Sequence, residues 1–145
     1  PGAGQGGRMV SQTTRYALLI LGYLASRENG WIPGDQIARE TSIPANYLSK
    51  ILNQLRKSGL VDSQKGWGGG FHLKPEAYDR PIQDVLLIFE GEQPQGVPAC
   101  VFGHPQCDDA NPCPLHPYWS RIQESFGEML RTTRVGELRE RRPKR

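Results

Sequence analysis

The sequence predicts a mainly α-helical fold carrying one small β-hairpin and ending in a long helix. Three observations predict it. Two stretches, 14–25 and 44–58, place apolar residues at helical spacing. A glycine run, Gly68 to Gly70, lies between two short extended segments. Past residue 118 apolar residues recur at steps of three and four. With 145 residues and 37% hydrophobic content, the chain suits one small domain plus an appendage. Its core is modest enough that a dimer sharing apolar surface is expected.

The elements follow in order. Pro1 to Arg8 is Gly-rich and patternless, and residues 1–8 are read as an expression remnant with Met9 as the start. Thr14 to Ala25, TRYALLILGYLA, is apolar nearly all round and predicts a helix buried on several sides. Gly22 inside it predicts close packing against another helix. Asp35 is the expected cap of a short helix carrying Ile37 and Ala38, and 41–43 the break after it. Pro44 then suits the first turn of a new helix, in which Leu48, Ile51, Leu52 and Leu55 make an inward stripe until Gly59 ends it. Val61 to Leu73 is a hairpin, and Pro81 to Phe89 a short apolar helix ended by Gly91. Residues 93–117 lack periodicity and hold all three cysteines, so this segment needs either disorder or an organising ligand. In 118–138, Trp119, Ile122, Phe126 and Met129 form the seam of an expected dimerisation helix, and 139–145 is a charged tail.

Helix, short helix, sharp turn, second helix and glycine-tipped hairpin is the order of a winged helix-turn-helix, assigned to residues 9–92. The helix from Pro44 to Ser58 is then the recognition helix. Ala45, Asn46, Tyr47, Ser49 and Lys50 are its expected DNA-facing residues. Asn46 and Ser49 can exchange hydrogen bonds with base edges, and Lys50 can reach guanine or phosphate. Ser63, Gln64 and Lys65 at the wing base suit phosphate contacts. The tip, Gly66, Trp67, Gly68 and Gly69, is placed to approach the minor groove, with Trp67 packing on sugar. The alternative is a helical hairpin and β-hairpin used for protein contacts, with a merely solvated polar face. A net charge of +3 is compatible with nucleic acid without locating the charge. No apolar run is long enough to span a bilayer, and no signal-peptide pattern precedes the cysteines, so a cytoplasmic protein is expected.

The runs IPANYLSKILNQLRKSGLVDSQKGWGGGFHL and TRYALLILGYLA, with the helix ending in IFEG, resemble the IscR/NsrR family of bacterial winged-helix transcription regulators. The resemblance covers Met9 to Leu138. It implies a homodimer on a partly palindromic double-stranded DNA operator, with the C-terminal long helix crossing to the partner.

The cysteines stand as C-x(6)-C-x(5)-C at Cys100, Cys107 and Cys113, with His104 between the first two and His116 three residues after the third. Three thiolates near an imidazole suit an iron–sulfur cluster or zinc. The gaps are too wide for a zinc ribbon and fit a loop around a [2Fe–2S] or [4Fe–4S] core better, with zinc and a metal-free thiol switch left open. The resemblance narrows this. Cluster-sensing members carry three cysteines at the same place, commonly with a first gap of five rather than six. One branch takes its fourth ligand from an acidic residue of the partner's first helix, where this chain has Arg15. The other uses a histidine at the position of His116. The resemblance therefore implies a [2Fe–2S] cluster bound by Cys100, Cys107, Cys113 and His116, sensing redox, nitric oxide or iron–sulfur status. No nucleotide fingerprint and no nucleophile–base pair is present, so neither an enzyme nor a small-molecule substrate is expected. The competing reading is a redox or electron-transfer protein, and a third is a zinc-stabilised DNA-binding protein without sensing.

Overall fold

The computed structural model describes residues 10–91 and 113–139. Helix α1 (Gln12–Ala25) opens on Ser11, whose Oγ accepts a hydrogen bond from the Thr14 N–H at 3.2 Å. Then come α2 (Gly34–Thr41), α3 (Ala45–Lys57), β1 (Val61–Gln64), β2 (Gly70–Leu73), a 3-10 turn at Pro75–Ala77 and α4 (Gln83–Glu90). Past the undescribed stretch, α5 (His116–Thr132) is followed by a second 3-10 turn, Val135–Leu138.

Helix α1 is the axis of the domain. Ala17, Ile20, Leu21, Leu24 and Ala25 are buried, which follows from apolar residues on nearly every side of the helix. Around it pack α2, α3, α4, β2 and the Val135–Leu138 turn. The stripe Leu48, Ile51, Leu52 and Leu55 seats α3 on this core. Among the described residues no helix is long and apolar enough to cross a membrane.

Local expectations are corrected in three places. Asp35 lies inside the first turn of α2, and the cap position is Pro33, whose extended backbone (ψ 146°) leads into the helix without a side-chain bond. Pro44 stands one residue earlier than expected, at the cap of α3, because its extended ψ of 137° precedes the helical residues. Gly22 does face a close helical neighbour, but it is the short 3-10 turn Val135–Leu138 rather than an α-helix. A Cβ there would lie 2.4 Å from the backbone oxygen of Leu138. The end of the 118–138 stretch thus folds back onto the winged-helix body. Thr133 O accepts from Ile82 N (2.9 Å), Arg80 O from Val135 N (2.8 Å) and Tyr78 O from Gly136 N (2.9 Å), with Val135 fully buried.

The hairpin is antiparallel, with Val61 opposite Leu73, Asp62 opposite His72, Ser63 opposite Phe71 and Gln64 opposite Gly70. Residue Ile32, ahead of α2, adds a third edge by exchanging two bonds with Phe71 at 2.9 and 2.8 Å. Gly70 (φ 151°) makes this possible, since a Cβ there would sit 2.3 Å from Ile32 O. A side chain at residue 70 would push the wing off its own domain.

Candidate functional site

The two helices of the helix-turn-helix are set by polar contacts as well as by the core. Tyr23 of α1 donates its phenol hydrogen to Glu40 of α2 (2.9 Å) and accepts from Gln36 (3.2 Å). The Arg27 guanidinium lies 3.7 Å over the Tyr23 ring and 3.6 Å from Glu40. Burial raises the Tyr23 pKa above its usual range, with the Gln36 bond and Arg27 opposing and Glu40 reinforcing. Between α2 and α3 the chain turns at Ser42, which takes a left-handed φ of 60°. That one residue lets α3 cross α2 after a very short connection.

With its apolar stripe inward, α3 turns Ala45, Asn46, Tyr47, Ser49, Lys50, Asn53 and Arg56 to solvent. Tyr47 is only half-exposed and tilts against Tyr16 of α1, ring centroids 6.2 Å apart. Ser63, Gln64 and Lys65 are exposed on the wing and face the same side as α3. Together with Ala45, Ser49, Asn53 and Arg56 they line a groove of about 480 Å³ between recognition helix and wing. Lys65 and Arg56 bring positive charge to it, and Asp35 stands at its edge. Two groove residues, Asn53 and Arg56, were absent from the expected DNA-facing set. Arg56 Nη2 donates to Asn53 Oδ1 at 2.8 Å. Their spacing from Ser49, four and seven residues on, was the available signal.

Gly66, Trp67 and Gly68 are exposed at the tip, and Gly69 closes it with a bond from its N–H to Gly66 O (3.0 Å). His72 packs on the rear of the wing, stacked on Trp31 at 4.1 Å and 3.8 Å from Asp62.

Of the four expected cluster ligands, Cys113 and His116 fall within the described residues, while Cys100, Cys107 and neighbouring His104 lie outside them. Cys113 is half-buried and one tight turn ahead of α5, its carbonyl accepting from His116 N at 3.1 Å. His116 is the first residue of α5, with Nε2 3.4 Å from Ser120 Oγ. Thiolate and imidazole on one turn are a donor pair that iron–sulfur clusters and zinc both accept. Among the described residues no three His, Cys, Asp or Glu side chains gather into a metal site.

On α5, Ile122 and Met129 are exposed (43% and 42%) and Trp119 is half-buried. Phe126 departs from the expected seam, because with Leu130 it turns onto its own domain's core. Leu115 and Tyr118, not expected, add exposed apolar area near the helix start.

The family model described as Rrf2, iron-dependent transcriptional regulator, matches residues 10–141. A protein of Aquifex aeolicus (strain VF5) assigned as an HTH-type transcriptional regulator is 31% identical over 130 residues, 88% of this chain and 89% of that protein. The HTH-type transcriptional regulator IscR of Klebsiella pneumoniae (strain 342) is 29% identical over 125 residues, 86% of this chain and 75% of that one. Among solved structures, CymR (YrzC), the global cysteine regulator of B. subtilis, superposes with a TM-score of 0.68 at 26% identity, over 89% of this chain and 94% of its own. The Aquifex and Klebsiella proteins are named as transcriptional regulators, not as enzymes. The winged helix-turn-helix read from the residues is thus joined by a match along nearly the whole sequence, and the chain belongs to the Rrf2 family of iron-dependent transcriptional regulators.

Proposed function

We propose that this regulator works as a cytoplasmic homodimer whose grip on a DNA operator is set by a [2Fe–2S] cluster held by Cys100, Cys107, Cys113 and His116. One observation carries the reading. Cys113 and His116 sit at the root of α5, and the far end of that helix is bonded into the winged-helix domain through Thr133 and Val135. A bound cluster would supply a core that oxidants, nitric oxide or iron shortage can alter.

The rest of the reading concerns the chain's own residues. Trp119, Ile122 and Met129 of α5 pair with a second copy, while Phe126 and Leu130 hold the helix to its own core. A shift at the start of α5 therefore moves the body that carries α3. Two recognition helices must stand about 34 Å apart to reach successive major grooves, and displacement by a few Å spoils both. Asn46, Ser49 and Lys50 read bases, with Ala45 and Tyr47 beside them. Ser63, Gln64 and Lys65 hold phosphates, and Gly66 to Gly69 let the tip approach the duplex.

The test is anaerobic purification, followed by visible absorption and assay of iron and sulfide, for the full chain and for Cys107→Ala. The expected result is a coloured protein, a variant that loses the colour while keeping its far-UV circular dichroism, and DNA affinity that changes on chelation. A colourless zinc protein, or a metal-free one whose DNA affinity follows thiol oxidation, would replace the cluster with the zinc or thiol-switch reading. DNA affinity indifferent to metal and oxidant would end the sensing proposal.

A further inference from the structure

The wing tip carries a side chain that the fold does not use. Trp67 is 103% exposed, as open as an isolated residue. Among the described residues, the other exposed large apolar side chains range from 39% to 63% and so keep some backing from the domain. An indole left wholly in water adds nothing to the core, and aromatic rings of this size usually serve where they become buried.

Its neighbours are shaped for entry into a narrow place. Gly66 and Gly68 take φ of 92° and 73°, and a Cβ on Gly69 would lie 2.1 Å from Gln64 O. The tip is therefore bare backbone bearing a single ring. A duplex minor groove is about 6 Å wide, so a tip stripped of all side chains but one presents the least bulk to it. Lys65, exposed just before the tip, brings the charge that phosphate walls attract. The wing base shares its groove with α3, so DNA lying along α3 brings the adjoining minor groove toward Trp67.

The chemistry of the ring then selects what it meets. Indole Nε1–H is a donor and never an acceptor. The minor-groove floor of an A·T pair offers only acceptors, adenine N3 and thymine O2, whereas a G·C pair adds the guanine 2-amino donor. We propose that Trp67 inserts into the minor groove beside each operator half-site and reads A·T against G·C there. This rests on the DNA-binding reading of the wing and adds a base preference that sugar packing would not produce.

The test uses a duplex selected by the full-length protein from a randomised pool, with binding measured by fluorescence anisotropy. Flanking A·T pairs within reach of the wing are replaced by G·C, and separately by inosine·C, which lacks the 2-amino group but keeps guanine's major-groove edge. G·C is expected to weaken binding roughly tenfold, and inosine·C to restore most of it. Trp67→Ala, which removes no packing, should lose that discrimination. If Trp67→Ala weakens binding equally on all three duplexes, or if G·C and inosine·C bind alike, the inference is overturned while the DNA-binding reading stands. Failure to select any duplex would instead overturn the DNA-binding reading.

Discussion

Replacing Gly22 by alanine tests the least expected contact of the fold. In an unconstrained helix the change would stabilise by about 1 kcal/mol, the difference in helix propensity. Here the new Cβ would stand 2.4 Å from Leu138 O, whereas such contacts are essentially never under 3.0 Å. The Val135–Leu138 turn would have to retreat by about 0.6 Å or more. It has little room to do so. Gly136 is already close to Tyr78, whose Cδ1 a Cβ on that glycine would meet at 3.0 Å. Two backbone bonds, Val135 N to Arg80 O and Gly136 N to Tyr78 O, also hold the turn in place. Overpacking of this kind costs about 1–3 kcal/mol. Complete undocking would forfeit the burial of Val135, about 1.5–3 kcal/mol, and part of those two bonds. After the propensity gain of about 1 kcal/mol, a net loss of up to about 2 kcal/mol remains, equivalent to up to roughly 8 °C in Tm for a domain of this size. Thermal and urea unfolding followed by circular dichroism would measure it. Trypsin cleavage after Arg134 and Arg139 should also accelerate, because both flank the displaced turn. A variant more stable than the parent by the propensity difference would refute the docking of this turn on α1.

Two further perturbations follow from buried polar groups. Glu90 Oε1 accepts from Ser11 N (3.0 Å) and Thr14 Oγ1 (3.1 Å), tying the end of α4 to the start of α1 around a fully buried threonine. Glu90→Ala is expected to cost about 1–3 kcal/mol in urea unfolding, and Thr14→Val combined with it less than the sum of the two, since they share one bond. Strict additivity would dissolve the link. Burial lifts the phenols of Tyr23 and Tyr78 above the ordinary 10.0, aided at Tyr78 by Glu28 and opposed by Arg139. The native state therefore keeps these protons to higher pH than the unfolded chain. The stability they add is complete below pH 10 and is lost as pH rises through the folded values. Tyr23→Phe and Tyr78→Phe should each flatten the alkaline fall in Tm, and an unchanged slope in both would contradict the assignment.

The sequence by itself determined the local elements. Periodicity assigned Leu48, Ile51, Leu52 and Leu55 to the inner face of α3 and so exposed Asn46, Ser49 and Lys50. Gly59, Gly66, Gly68 and Gly70 bounded the recognition helix and the wing, because positive φ is a local property carried by residue type. Tertiary structure decided what meets across long sequence separations. The third wing edge at Ile32 leaves no periodic trace, being a single residue bonded to Phe71. Gly22 announced a close neighbour but not its identity, since the missing Cβ records only that space is short. Leu138 fills that space after the chain has passed through α5. Phe126 and Met129 share one helical repeat, yet one faces its own core and the other solvent. A repeat specifies an apolar face. Which body covers each part of that face depends on how the chain returns, and that is a property of the whole fold.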